Sequence, residues 1–238
     1  MNRIEELLSS ADEIEEKIGY HFKDRYLLVI AFLHRSFLNE NKDADYEHNE
    51  RLEFLGDSVL GLIISHHLFE MHPEMPEGDL SFLRSRLVEA SSCSAYVKKM
   101  GVEPYLLLGK GESVNMGRGR DSILSDLFES IIGAIYLDGG IEEATRFLFN
   151  ILGDQIQEIV ETPVSNWKAL LQDWSQKRFQ VPPVYEILGE IGPDHSKEFD
   201  VAVYINEEKK GEGRGPSKKE AQQEAARVAY ESISNDQD

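Results

Sequence analysis

The chain has 238 residues, enough for one large domain or for a medium domain with a small companion. Hydrophobic residues make up 41% and charged residues 29%, a balance with room for a real core. The net charge of −19 argues against a broad electrostatic grip on nucleic acid, and the single cysteine, Cys93, excludes an internal disulfide or a cysteine-rich zinc site.

The opening stretch, "MNRIEELLSSADEIEEKIG", is acidic and amphipathic, with no basic segment ahead of an apolar one, so no signal peptide is expected. No uninterrupted apolar run approaches the ~20 residues of a membrane span. With one cysteine, the expectation is a soluble protein of the reducing cytoplasm, without a membrane partner. Apolar residues then recur at three- and four-residue spacing in 26–38, 50–70, 79–100, 122–137 and 141–159, which predicts helices. Breakers separate them: "MHPEMPEGD" (71–79), "GVEPYLLLGKGESVNMGRGRD" (101–121) and "DGG" (138–140). Nothing in this half alternates like a strand.

"ETPVSN" (161–166) reads as a linker, and the pattern then changes. "WKALLQDWSQKRF" (167–179) predicts a helix; "VYEILGEIG" (184–192) and "EFDVAVYIN" (198–206) predict strands, with "KKGEGRG" (209–215) as a short, glycine-rich third. "SKKEAQQEAARVAYESI" (217–233) predicts a helix capped by Ser217. The fold class is an all-α domain over 1–160, then a small α-β-β-β-α domain over 167–235. Residues 1–162 hold 15 Lys+Arg against 30 Asp+Glu, and residues 163–238 hold 10 against 14, so nucleic-acid binding must rest on local clusters.

The stretch 48–69, "HNERLEFLGDSVLGLIISHHLF", places three acids in a helix that is apolar almost all round and therefore reads as buried. Glu50, Glu53 and Asp57 fall within about 60° of one another on it. "SILSDLFESIIGAIYLD" (122–138) repeats the pattern with Asp126 and Glu129, and Gly133 stands where the first helix has Asp57. A glycine there would leave space for something to approach the acids. Carboxylates in such surroundings pay for desolvation and repel one another. If the two helices face each other, four or five carboxylates converge, and a hard divalent cation resolves the conflict. A pair of such ions ~3.5–4 Å apart can clamp both oxygens of an in-line phosphoryl displacement. The competing reading pairs the acids with Arg51, Arg84, Arg86 or Lys98 inside a helical bundle. The pattern supports a carboxylate metal site of hydrolytic type and does not identify its substrate.

"HRSFLNE" (34–40) followed by "NERLEFLGDSVLG" (49–61) resembles the signature of ribonuclease III, and "SILSDLFESIIGAIYLDGG" (122–140) resembles that family's second catalytic segment. The likeness covers essentially the whole chain, since the C-terminal part is similar to the double-stranded RNA-binding domain of bacterial members. The resemblance implies the family's endonuclease fold and a Mg²⁺-dependent cut in double-stranded RNA, with Mn²⁺ as a substitute and no small-molecule cofactor. It makes Glu53, Asp126 and Glu129 metal ligands and assigns catalysis to Asp57 and Glu129, with Asp57 helping to hold or orient the attacking water. Glu50 and Glu77 match supporting acids of the cleavage valley. It further implies 5′-phosphate and 3′-hydroxyl ends with short 3′ overhangs, processing of ribosomal RNA precursors and other structured transcripts, and a homodimer seamed along the apolar flank of the signature helix. Leu33, where many members have Thr, and Ser125, where Ala is common, are departures that remove no ligand.

In the C-terminal half, duplex RNA is read by shape through two minor grooves and the phosphates between them. Lys218 and Lys219 stand at a helix N-terminus, where charge and free N–H groups both favour phosphate. His195, in the "GPDHSKEF" loop (192–199), and Gln172 match the positions that enter the minor grooves. Ala169 sits where Thr or Ser often contributes, and Gln222 replaces a third lysine of many such domains, so the isolated domain is expected to bind weakly and with steep salt sensitivity. The alternative for the two lysines is a solvated helix end. Other signals carry less: His66, His67 and His72 lack ligand spacing, "GKGESVNMGRGRD" (109–121) is no P-loop, and Arg118 and Arg120 within it either touch phosphate or pair with acids. Cys93 reads as a small buried hydrophobe. The rivals are a regulator that grips duplex RNA without cutting and a metal phosphohydrolase of small nucleotides, which has no use for the C-terminal domain.

Overall fold

In a computed structural model, residues 3–115, 119–161, 167–192 and 197–235 are described. The chain divides into two compact units, 1–162 and 163–238. The first contains α1 (Arg3–Ser9), α2 (Ala11–Ile18), α3 (Arg25–Ala31), α4 (Arg35–Glu40), α5 (Glu50–Met71), α6 (Glu77–Val88), α7 (Ala90–Met100), α8 (Lys110–Asn115), α9 (Arg120–Gly139) and α10 (Ile141–Glu161). The second contains α11 (Trp167–Phe179), three strands, β1 (Val184–Ile191), β2 (Glu198–Ile205) and β3 (Glu208–Gly215), and α12 (Lys218–Asn235).

At the centre of the helical unit, α5 packs on α9. From Ile123 to Ile135, α9 is buried almost without interruption, as a helix apolar on all sides must be. The expectation of an equally buried α5 is corrected. Leu52, Val59, Leu60, Ile63, Ile64 and Leu68 line its inner face, but Phe54, Leu62 and Phe69 are 78, 60 and 69% exposed. By length and composition α5 also passes as a helix able to cross a membrane. Here its inner face is spent on α9, and it bears Glu50, Glu53 and Asp57.

Two predicted helices are each broken in two. The run 26–38 opens at Phe32–His34, where Leu107 donates its N–H to the Phe32 carbonyl (2.9 Å) and His34 donates to Leu107 (3.2 Å). His34 takes extended backbone there, and its Nδ1 accepts the Ser36 N–H, capping α4. The run 79–100 breaks at Glu89, likewise extended (φ −67°, ψ 153°). Ahead of these, Ile4, Leu7, Ala11, Ile14 and Ile18 form one buried stripe along α1 and α2.

In the second unit β1, β2 and β3 form an antiparallel sheet in that order. Asn206 and Glu207 both take positive φ, the backbone of a two-residue hairpin between β2 and β3. Glycines at 211, 213 and 215 put no side chain on one face of β3. A Cβ at any of them would strike α12 at Ala225, Ala221 or their neighbours. Backbone contact explains why this strand is glycine-rich: α12 beds Ala221, Ala225 and Ala229 onto it, over a core of Leu171, Val201, Val203 and Ile205. Ser217 caps α12 as predicted, accepting the Glu220 N–H (3.2 Å), while its hydroxyl bonds Glu220 Oε2 (2.9 Å).

Candidate active site

The acids of α5 and α9 meet because two glycines let the helices touch backbone to backbone. A Cβ on Gly56 would collide with the carbonyl of Glu129, and one on Gly133 with the carbonyl of Leu52. The opening that the spacing of Gly133 suggested is therefore not there: the Leu52 backbone of α5 fills the space. The crossing sets Glu53 and Asp57, three residues before and one after Gly56, against Asp126 and Glu129.

Electrostatics report the convergence. Burial raises the pKa of Glu53, and Asp126, Glu50 and Asp57 raise it further. Asp126 is raised by burial and by Glu50. Burial, then Asp57 and Asp126, push Glu129 up to about 7, with Glu53 adding to the rise. Glu50 belongs to the edge of this group, since Arg35 Nη1 donates to its Oε1 at 2.9 Å. Glu77 does not join it: its carboxylate accepts from Ser81 Oγ (2.9 Å) and lines a separate hollow with Leu62, His66, Phe69 and Arg84.

Three of the four basic residues that could have neutralised the cluster are engaged elsewhere. Arg51 pairs with Glu47 (3.1 Å), Lys98 with Asp121 (3.1 Å), and Arg84 donates to Ser65 Oγ (3.1 Å). Arg86 Nη1 is buried without a hydrogen-bond partner. None of them appears among the influences on Glu53, Asp126 or Glu129. The ion-pair reading is thus not the one the fold adopts. Among the described residues, no three acidic, histidine or cysteine side chains already stand at metal-ligand spacing. The four carboxylates face each other at Coulomb range, and an all-oxygen, mutually repelling donor set suits a hard divalent cation.

The RNA-binding candidates have separate addresses. Gln172 is exposed on α11, and Lys218 and Lys219 are exposed in the first turn of α12. Lys218 Nζ lies 3.8 Å from Glu190 Oε1 and 5.5 Å from the centre of the Phe199 ring. His195 lies outside the described residues, as does Arg118; Arg120 pairs with Glu103.

A family model described as Ribonuclease-III-like matches residues 24–155, and one described as a double-stranded RNA binding motif matches 167–233. A protein named Ribonuclease 3 from Protochlamydia amoebophila is 58% identical over 233 residues, covering 98% of this chain and 96% of the relative. The chain belongs to the ribonuclease III family. Ribonuclease 3 of Streptococcus equi subsp. zooepidemicus is 42% identical over 234 residues, covering 98% and 99%. A solved nuclease domain of ribonuclease III from Campylobacter jejuni, described for flexibility in a region involved in its dimer formation, superposes with a TM-score of 0.54 at 38% identity, over 59% of this chain and 94% of that one. This ribonuclease III is a double-stranded-RNA endoribonuclease, built from the helical nuclease unit and the α-β-β-β-α RNA-binding unit.

Three features of the ribonuclease III site were not read from the sequence. Gly56 is the counterpart of Gly133 at the crossing, visible only once the helices are paired. Ser125 is more than a harmless departure, for its Oγ donates to Glu129 Oε1 at 3.3 Å. Asn49 is buried at the head of α5, donating its N–H to the Leu33 carbonyl (2.9 Å) and accepting Ser130 Oγ (3.4 Å). The "HRS" motif serves the same frame: Ser36 Oγ accepts the Gly109 N–H (2.9 Å), and Arg35 holds Glu50.

Proposed function

We propose that Glu53, Asp126 and Glu129 hold Mg²⁺, with Mn²⁺ as a substitute, and that Asp57 and Glu129 carry the hydrolysis of a phosphodiester in duplex RNA. A bound divalent ion supplies charge neutralisation and polarises a phosphoryl oxygen. The chain's own residues do the rest. Asp57, exposed at the rim, orients the attacking water, and Glu129 takes up its proton. Ser125 fixes the Glu129 carboxylate. The water oxygen bonds to phosphorus as the bond to the 3′ oxygen breaks, and that oxygen takes a proton from solvent, leaving 5′-phosphate and 3′-hydroxyl ends. The observation that carries this reading is a convergence of four acids, three half-buried and Asp57 exposed beside them, with none of Arg51, Arg84, Arg86 or Lys98 paired to them, held by the Gly56–Gly133 crossing.

The protein acts as a homodimer in this reading. Phe54, 78% exposed, projects beside a hollow of about 620 Å³ lined by Leu27, Ile30, Leu52, Leu55 and Leu137. A knob and a socket on one surface are what a two-fold interface requires. Two sites then cut opposite strands and leave short 3′ overhangs. Cytoplasmic processing of ribosomal RNA precursors and other structured transcripts is the setting we infer, and a non-cutting binder has no need of four intact acids.

The deciding experiment compares a long duplex RNA with its single strands in Mg²⁺, in Ca²⁺ and with chelator, followed by end-group analysis. Metal-dependent products with 5′-phosphates from the duplex alone are expected. An intact duplex in abundant Mg²⁺ refutes the reading.

A further inference from the structure

An RNA-binding unit with more acids than bases must leave some cations uncommitted, and most of its cations are committed. Asp200 holds Arg214 (2.6 Å), Glu224 and Glu231 hold Arg227 (2.6 and 2.7 Å), and Asp173 holds Lys177 (2.7 Å). Glu212 holds Lys209, and Glu208 holds Lys210 (2.7 Å). Lys168 is different. Its Nζ donates to the amide oxygen of Gln222 at 2.6 Å and sits 4.8 Å from the centre of the Tyr185 ring. Its backbone N–H donates to Gln223 Oε1 at 3.2 Å, fastening the start of α11 to α12. Neither an amide nor a ring cancels an ammonium's charge. Burial, and after it the positive charge of Lys219, pull the Lys168 pKa below its ordinary value.

We propose that Lys168 is a third phosphate-binding cation of the RNA surface, carried on α11 and held by Gln222 beside Lys219, in place of the lysine expected at position 222 itself. The proposal rests on reading this unit as the duplex-RNA binder and goes further by naming a residue that unit uses. Lys168 and Gln172 are four residues apart and share a face of α11. Lys168 therefore links the minor-groove position at Gln172 to the helix end bearing Lys218 and Lys219. A residue meant only to cover the Tyr185 ring would be apolar, avoiding the cost of drying an ammonium. Repulsion between Lys168 and Lys219 is relieved when a phosphate lies between them. The amide and the ring also restrain a long side chain before RNA arrives, which lowers the entropy lost on binding.

The test measures duplex-RNA affinity of the full chain in Ca²⁺ across a range of salt, for wild type, Lys168→Met and Lys168→Met with Gln222→Lys. We expect Lys168→Met to weaken binding about 3- to 10-fold at low salt and to reduce the slope of log K against log [salt] by roughly 0.7–0.9, the value of one lost phosphate contact. The double variant should regain both. Lys168→Gln, which keeps a polar head for Gln222, gives the same slope change should the methionine variant not fold. An unchanged slope in a charge-removed variant that folds and binds overturns the proposal and leaves Lys168 a strut. A wild-type chain indifferent to duplex RNA overturns the binding reading along with it.

Discussion

Two places in the helical unit bury a glutamate, and they treat it in opposite ways. Glu15 is 2% exposed, yet its pKa lies below the usual value. Burial alone would raise it, but Arg25 donates to both carboxylate oxygens (3.1 and 3.0 Å), His21 Nδ1 lies 3.1 Å away and the Phe22 N–H donates at 3.3 Å. Glu129 is half-buried among Asp57, Asp126 and Glu53, and its pKa rises to about 7. Desolvation acts on both; the counter-charge decides the outcome. Where the protein supplies its own cation the acid holds structure, and where it withholds one the acid waits for a ligand.

The contrast breaks most visibly in turnover. Glu129→Gln should lower duplex cleavage by roughly 10³-fold or more while duplex binding and dimerisation persist, as gel-shift and sedimentation measurements would report. If that variant unfolds instead, the acid was structural. The mirror experiment is Glu15→Gln, which leaves Arg25 with Asp12 as its remaining carboxylate and should cost about 1–3 kcal/mol in urea unfolding with cleavage intact at low temperature. A stability change near zero would remove the distinction between the two acids.

Gly133→Ala should cost about 1–3 kcal/mol, because the added methyl meets the Leu52 backbone and not a yielding side chain. It should also weaken divalent-ion affinity, followed by the thermal shift on adding Mg²⁺. The smallest effect is also the sharpest. Without divalent ions, Glu129→Gln should stabilise the fold by about 1–2 kcal/mol above pH 7, since it removes a carboxylate held charged at a cost. The native group binds its proton near 7 and the unfolded one near 4.5. The gain therefore shrinks as pH falls through this window and vanishes below it. Glu15 has the reverse sign: its depressed pKa contributes stability above about 4.5 that is lost as pH falls further. Parallel pH profiles for the two variants would refute the contrast.

Much of this was legible in the chain. The acids at 53, 57, 126 and 129 stand out because each interrupts an apolar helix, and the family resemblance names the same positions. The strand periodicity from 184 onward and the Ser217 cap are local signals, and they survive in the structure, while residues 162–166 of the expected linker lie outside the described residues. What escaped was relational. Gly56 and Gly133 acquire meaning only when two distant helices cross. Glu89 breaks a helix without any proline or glycine to announce it. The exposed side of α5 cannot be told from its buried side when both are apolar. Lys168 looks like one more surface lysine until Gln222, 54 positions away, is seen to hold it.

The glycine crossing has one more consequence. Because peptide groups and not side chains abut there, the gap between the two acidic rows inherits the stiffness of covalent geometry. Exchanges among the surrounding leucines and isoleucines reach that distance only through packing, while an atom added at either bare position sets backbone against backbone and widens the gap directly.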